Sequence, residues 1–192
     1  MTLGAVRGTD GRLRCPWGSS TADYTAYHDD EWGRPVRDDN GLFERLTLEA
    51  FQSGLSWLTI LRKRESFRAA FAGFDIEAVA AFGAEHRARL IADTGIVRNA
   101  AKIDAALANA KVAAELDDGL ATVIWRHAPV ATPAPMSLED VPATTTESVA
   151  MAKDLKRRGF RFVGPTTAYA LMQAAGLVND HLAECWARDA PP

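Results

Sequence analysis

Cysteine is nearly absent from this chain: Cys15 and Cys185 are the two among 192 residues, and almost the whole sequence lies between them. That scarcity excludes a disulfide-built scaffold, and no bridge between the pair is expected in a reducing compartment. Long hydrophobic runs are missing too. No stretch reaches the roughly 18 apolar residues of a membrane span, and the N-terminal MTLGAVRGTDGRLR lacks the apolar centre and cleavage site of a secretory signal. A cytoplasmic protein without membrane association is the expectation. A basic excess is also absent. The net charge of −3 argues against a chain that coats nucleic acid indiscriminately, because such proteins gain affinity by releasing phosphate counterions. There is no window of alternating β-branched residues, no repeat at a fixed period and no long low-complexity tract.

What is present is a globular composition, 47% hydrophobic and 24% charged, sufficient for a core in one domain or two intimate lobes. Residues 1–14 are rich in Gly and Arg without periodicity and read as a flexible extension, leaving 15–192 as the domain. From there the signals are helical. Ser20, with Asp23 three residues later, fits a capping pattern for a helix from Ala22 to about Asp30, and Asn40 is placed to cap a second helix to about Ser53. WLTILRKRESFRAAF predicts a third helix, with Leu58, Leu61, Phe67 and Phe71 inward and Arg62, Lys63, Arg64 and Glu65 outward. Asp75 caps IEAVAAF, and helices follow over about 84–93 and 98–116. The segment 128–145 holds four of the nine prolines and reads as a surface connection. A helix ending near Arg158, the turn GFRFVGPT and a helix from about Thr166 to Ala175 complete an all-α reading.

Two constellations carry chemistry. Each cysteine is paired with a histidine: Cys15 with His28, and Cys185 with His181 in NDHLAEC, where a spacing of four predicts one shared helical face. Two thiolates and two imidazoles form the tetrahedral set that zinc prefers, and a shell filled by four protein ligands makes the metal structural, a staple between the chain ends. The plainer alternative is two buried free cysteines beside unrelated histidines. The second constellation is KDLKRRGFR, with five cations, Lys153, Lys156, Arg157, Arg158 and Arg161, against Asp154 alone. It suits phosphates, although a lone charge run is more often a solvated helix face.

CPW followed by YTAYHDDEWG, then LEAFQSGLSW, then KRRGFRFVGPTTAYALMQAAGLVNDH, closely resembles the type I 3-methyladenine DNA glycosylases from about Arg14 to Cys185. The resemblance implies the helix-hairpin-helix glycosylase architecture, a structural zinc on Cys15, His28, His181 and Cys185, and double-stranded alkylated DNA as partner, with a monomer as the working unit. It places the hairpin at GFRFVGPTTA, where Gly164 and Thr166 offer amides to a phosphate, and it turns the basic run, Lys156 and Arg158 included, toward DNA. An enzyme of this kind extrudes its base between aromatic faces. Trp17, Tyr24, Tyr27, Trp32 and Trp57 gather five of the eight Trp and Tyr residues into about forty positions. The resemblance puts Tyr24, Tyr27 and Trp57 at the base and Trp17 and Trp32 as walls; aromatic residues at helical spacing are otherwise core.

Glu49 stands out in its own right, because it falls in line with Leu42 and Leu46 on an apolar stripe, where a carboxylate is costly without a partner. Periodicity alone reads it as an edge glutamate reaching water. The resemblance makes it the base-contacting acid, ionised, accepting hydrogen bonds from the exocyclic amine of a cationic purine. In relatives of the wider superfamily an aspartate after the hairpin assists bond cleavage; the matching position here is Asn179, which carries no charge and implies a narrow range of labile, cationic bases. Leu55, in the turn before Trp57, is the candidate to fill the gap in the duplex. The expected activity is hydrolytic release of 3-methyladenine, leaving an abasic site. A metal-dependent hydrolase would need an open metal position, and a zinc-stabilised, non-catalytic DNA-binding module would leave Glu49 and the aromatic cluster unexplained. His86 and His127 fall outside every motif.

Overall fold

Helices begin where the sequence supplies an acceptor for their first free amides. In the computed structural model, which describes residues 4–190, α1 (Ala22–Asp30) is capped by Thr21, whose hydroxyl accepts from Tyr24 N at 3.2 Å. The pattern had favoured Ser20, but that hydroxyl donates to the Trp17 carbonyl instead. α2 (Asp39–Gln52) starts at Asp38, not Asn40; the Asn40 amide oxygen accepts from Ile76 N at 3.0 Å and ties the next segments together. Ser56 caps α3 (Trp57–Ala70), and Asp75 caps α4 (Ile76–Ala80) as predicted. α5 (Ala84–Ala92) and α6 (Ala100–Ala114) follow the two Ala-rich patterns. α7 (Gly119–Trp125) was not anticipated; Gly119, at φ 75°, opens it directly after the preceding turn. α8 (Thr146–Arg157) has Thr145 and Ser148 satisfying each other's amides, and α9 (Pro165–Ala174) begins on a proline whose missing N–H costs nothing at that position.

The segment expected to be a flexible extension carries, from residue 4 onward, an antiparallel ribbon that pairs Val6–Arg7 with Leu13–Arg14. Positions 1–3 of that extension and 191–192 at the end of the domain lie outside the described residues. Arg14, 4% exposed, anchors the ribbon by donating to both Asp10 and Asp29. The remaining architecture is helical, and none of the described helices is long and apolar enough to cross a membrane.

α2 lies at the centre, packed by α3, α6, α7 and α9, and nine of its fourteen residues are buried. Phe51 meets Phe67 edge-on at 4.8 Å, while Phe71 and Phe74 stack at 5.6 Å. The inward stripe of α3 runs through Ile60, Arg64, Phe67 and Phe71, so the outward placement predicted for Arg64 is wrong. Its guanidinium donates to Glu44 at 2.6 Å and to Glu31, and Glu44 is itself buried, so the pair satisfies two charges that would each be costly alone.

The turn between α8 and α9 is fixed from α6. Asn109, 1% exposed, accepts from Arg161 N at 2.7 Å and donates to Arg161 O at 3.0 Å. Phe162 follows at φ 56°, a left-handed conformation for a bulky residue that such an anchor must hold. Asn109→Ala is expected to lower unfolding free energy in urea titration by about 1–3 kcal/mol, since two backbone groups lose their partner; unchanged stability would show that the turn is held by other contacts.

Candidate active site

The aromatic residues converge. Trp17 packs edge-on against Tyr24 at 5.6 Å and Trp32 at 5.0 Å, and Tyr27 leans on Trp57 at 5.3 Å. Three segments contribute: the turn at 16–19, α1 with the residues after it, and the start of α3. The Tyr24 hydroxyl accepts from Leu58 N at 3.1 Å, which joins α1 to the first turn of α3. Together with Glu49 and Gln52 of α2 these five rings line a cavity of about 390 Å³, to which Leu138, Val141, Ala170, Gln173 and Asp180 also contribute. That volume falls in the range of small-molecule sites.

Glu49 is 6% exposed, because α2 is surrounded on most sides. Burial pushes its pKa up to about 8, against the opposing pull of Arg45 one turn earlier. Among the described residues no donor reaches the carboxylate, so its burial favours the protonated form. Tyr27 is raised above its ordinary range, first by burial and then by Glu49.

At the chain ends, single donor atoms of Cys15, His28 and Cys185 lie within 4.8 Å of one another, all buried. Cys185 Sγ is 3.4 Å from His28 Nε2. His181 stands beside them, its ring 4.9 Å from that of His28 and its Nε2 buried without a hydrogen-bond partner. An orphaned imidazole nitrogen beside two thiols and a second imidazole fits a soft metal ion. The outer nitrogens are oriented as ligand histidines usually are: His28 Nδ1 is 2.8 Å from Asp29, and His181 Nδ1 is 3.0 Å from the Asn179 amide oxygen. Burial lowers the pKa of His181 to about 4, so it is neutral. The helical face predicted for His181 and Cys185 does not exist. Gly176, at φ 72°, ends α9, and the following residues turn back irregularly, with Cys185 N donating to Leu182 O. Close approach also demands glycines: a Cβ at Gly18 would come within 2.6 Å of His28, and one at Gly33, already at φ 77°, within 2.8 Å of His181.

The residues predicted to face DNA lie elsewhere on the surface. Leu55, 39% exposed, tips the turn between α2 and α3. Lys102 Nζ braces that turn from α6 by donating to Phe51 O and Ser53 O, and its desolvation lowers its pKa. Gly164 and Thr166 are exposed at the start of α9, and Lys156 is exposed on α8. Arg158 is partly occupied, since its Nε and the Arg157 fork both reach Asp154. Asn179 does not line the cavity; its amide nitrogen donates to Arg188 O while its oxygen serves His181. Gln52, Gln173 and Asp180 do line it, and sequence reasoning missed all three. The signal for Gln173 was there, three residues after Ala170 on one face of α9.

Comparison with known proteins gives one consistent result. The family model described as Methyladenine glycosylase matches residues 17–188. DNA-3-methyladenine glycosylase 1 of Escherichia coli (strain K12) is 45% identical over 178 residues, covering 90% of this chain and 95% of that protein. A crystal structure of 3-methyladenine DNA glycosylase I superposes with a TM-score of 0.86 at 44% identity, over 90% of this chain and 98% of the other. A 3-methyladenine DNA glycosylase I from Staphylococcus aureus, studied for recognition of 3-methyladenine, gives 0.85 at 32% identity, over 93% and 98%.

The Glu49 shift has a consequence for stability. Between the ordinary value of 4.5 and about 8, the folded chain holds a proton that the unfolded chain has released, so stability falls as pH rises through that window. Glu49→Gln, which cannot ionise, should match wild type in melting temperature at pH 4 and exceed it at pH 9. Equal melting temperatures at both would show that the carboxyl is not desolvated.

Proposed function

The chain belongs to the methyladenine glycosylase family, and from that premise we propose that it hydrolyses the N-glycosidic bond of 3-methyladenine in alkylated DNA, leaving an abasic site. The observation that carries this reading is a buried, unpartnered carboxyl in a cavity walled by five aromatic rings.

A base inside the duplex is out of reach, so the nucleotide is extruded and the purine slides among Tyr24, Tyr27 and Trp57, with Trp17 and Trp32 behind. Methylation at N3 makes that purine a cation. Ring faces attract cations, and the arriving charge favours ionisation of Glu49, which then accepts hydrogen bonds from the exocyclic amine. Neutral adenine offers no such return for ionising a buried acid, and its bond to the sugar is far stronger. Because the methylated base departs neutral, no general acid is needed, and extrusion, positioning and field supply the rate.

α8, its turn and α9 act as the helix-hairpin-helix element. Gly164 and Thr166 present amides to a phosphate, Lys156 and Arg158 add charge, and Leu55 fills the vacated position in the duplex. Cys15, His28, His181 and Cys185 would hold zinc, and a shell filled by four protein ligands would leave the ion to contribute folding free energy and no catalytic water. The protein works as a monomer on double-stranded DNA.

Two measurements test this. Chromatography of bases released from methylated DNA should show free 3-methyladenine, with Glu49→Gln slowed by about 10²–10³-fold, the scale of losing one preorganised electrostatic group; wild-type rates from that variant would remove Glu49 from the mechanism. Chelation or Cys185→Ser should lower the melting temperature by about 10 °C, a few kcal/mol for a chain of this size. Metal-free protein that stays equally stable but loses all activity would favour a metal-dependent hydrolase.

A further inference from the structure

The sequence placed an uncharged residue, Asn179, where an assisting acid is expected, yet the cavity holds a second carboxyl one position later. Asp180 is 6% exposed and lines the same cavity as Glu49. Its Oδ2 accepts from the Tyr169 hydroxyl at 2.6 Å and from Gln173 Nε2 at 2.8 Å, both carried by α9. Among the described residues no donor reaches Oδ1, and no cation pairs with the acid. A buried carboxyl held by two donors, with one oxygen free beside a cavity, is costly to maintain and is positioned for something that enters.

The two acids reach the cavity from different segments of the chain. Glu49 stands with the aromatic rings, whereas Asp180 stands with Ala170 and Gln173 of α9, the helix that begins at the DNA-facing turn. A nucleotide whose phosphate rests at the start of α9 and whose base lies among the rings presents its sugar to the α9 wall. Resting on the glycosylase reading above, we propose that Asp180 is a further catalytic residue, whose carboxylate faces the deoxyribose and stabilises the positive charge that arrives there. As the C1′–N9 bond breaks, its electron pair passes to the purine, which becomes neutral, and the sugar becomes the cation. A water oxygen then bonds to C1′ and releases its proton to solvent. Glu49 favours the charge before this shift and Asp180 favours it afterwards, and only the second interaction grows toward the transition state.

Asp180→Asn keeps an acceptor for Tyr169 and Gln173 while removing the charge. The expected result is a single-turnover excision rate lower by about 10²–10³-fold, with affinity for methylated DNA and for free 3-methyladenine unchanged. A second readout needs no bond cleavage. Wild type should bind duplex DNA carrying a cationic pyrrolidine abasic analogue at least about tenfold tighter than the uncharged tetrahydrofuran analogue, and Asp180→Asn should lose that preference. Tyr169→Phe removes the buried hydrogen bond and keeps the charge, so it should retain the preference, which a purely structural role for Asp180 would not allow. If Asp180→Asn does not fold, Asp180→Ser is read the same way. An Asp180 variant with wild-type excision and an intact pyrrolidine preference overturns the proposal while leaving the glycosylase reading in place. A wild-type protein that releases no 3-methyladenine overturns both.

Discussion

Desolvation of one carboxyl organises this molecule. Glu49 is largely withdrawn from water because α2 is packed by α3, α6, α7 and α9, and among the described residues Arg45 alone offsets that burial. A protein interior ordinarily avoids such a group or gives it a partner. Here the enclosing helices keep it in place, and on the proposed function the free energy of its burial would be returned when a cationic base arrives. Neighbouring charges on α2 and α3 show the contrast: Glu44 is just as buried, but Arg64 and Arg68 neutralise it, so it contributes structure and no site.

The chain ends build the opposite requirement, a rigid wall. Trp17 packs against His28 at 5.1 Å and Trp32 against His181 at 4.7 Å, so rings that line the cavity on one side touch the thiol and imidazole cluster on the other. Arg14 and Asp29 extend this cluster outward, with Asp29 accepting from Arg14 and contacting His28 Nδ1. Whatever fixes these thiol and imidazole side chains therefore also bears on the spacing of Trp17 and Trp32, which line the cavity. A metal held there would act on the cavity through packing alone.

Much of this was legible in the sequence, and the failures share a physical origin. Amphipathic periodicity and Gly or Pro punctuation located eight of the helices, because those signals are local. Thr21 rather than Ser20, and Asp38 rather than Asn40, cap helices because adjacent acceptors compete and the loser finds a partner distant in sequence, Ile76 in the case of Asn40. Arg64 looked solvent-facing because its partners, Glu31 and Glu44, lie 33 and 20 residues away. His181 and Cys185 do lie near Cys15 and His28, but on an irregular backbone, since a spacing of four fits a helix and an irregular turn equally well. Asp180 was overlooked because its neighbour Asn179 matched a known pattern, and only the fold shows which of the two points into the cavity.

Two acids in one cavity, one beside the base and one beside the sugar as proposed, would separate two tasks that one acid would perform poorly. A carboxylate beside the purine alone stabilises the charged ground state as strongly as it attracts the substrate, and as the charge leaves for the sugar that stabilisation weakens, which raises the barrier it was meant to lower. A second negative group on the sugar side reverses the balance, because its attraction strengthens while the first declines. On the proposed mechanism discrimination would belong to Glu49, which asks whether the base is already a cation, and acceleration to Asp180, which rewards the charge for moving. Neither needs a strong general acid, and this suits lesions whose glycosidic bond is already weak while leaving ordinary adenine, neutral and tightly bonded, outside the reach of both.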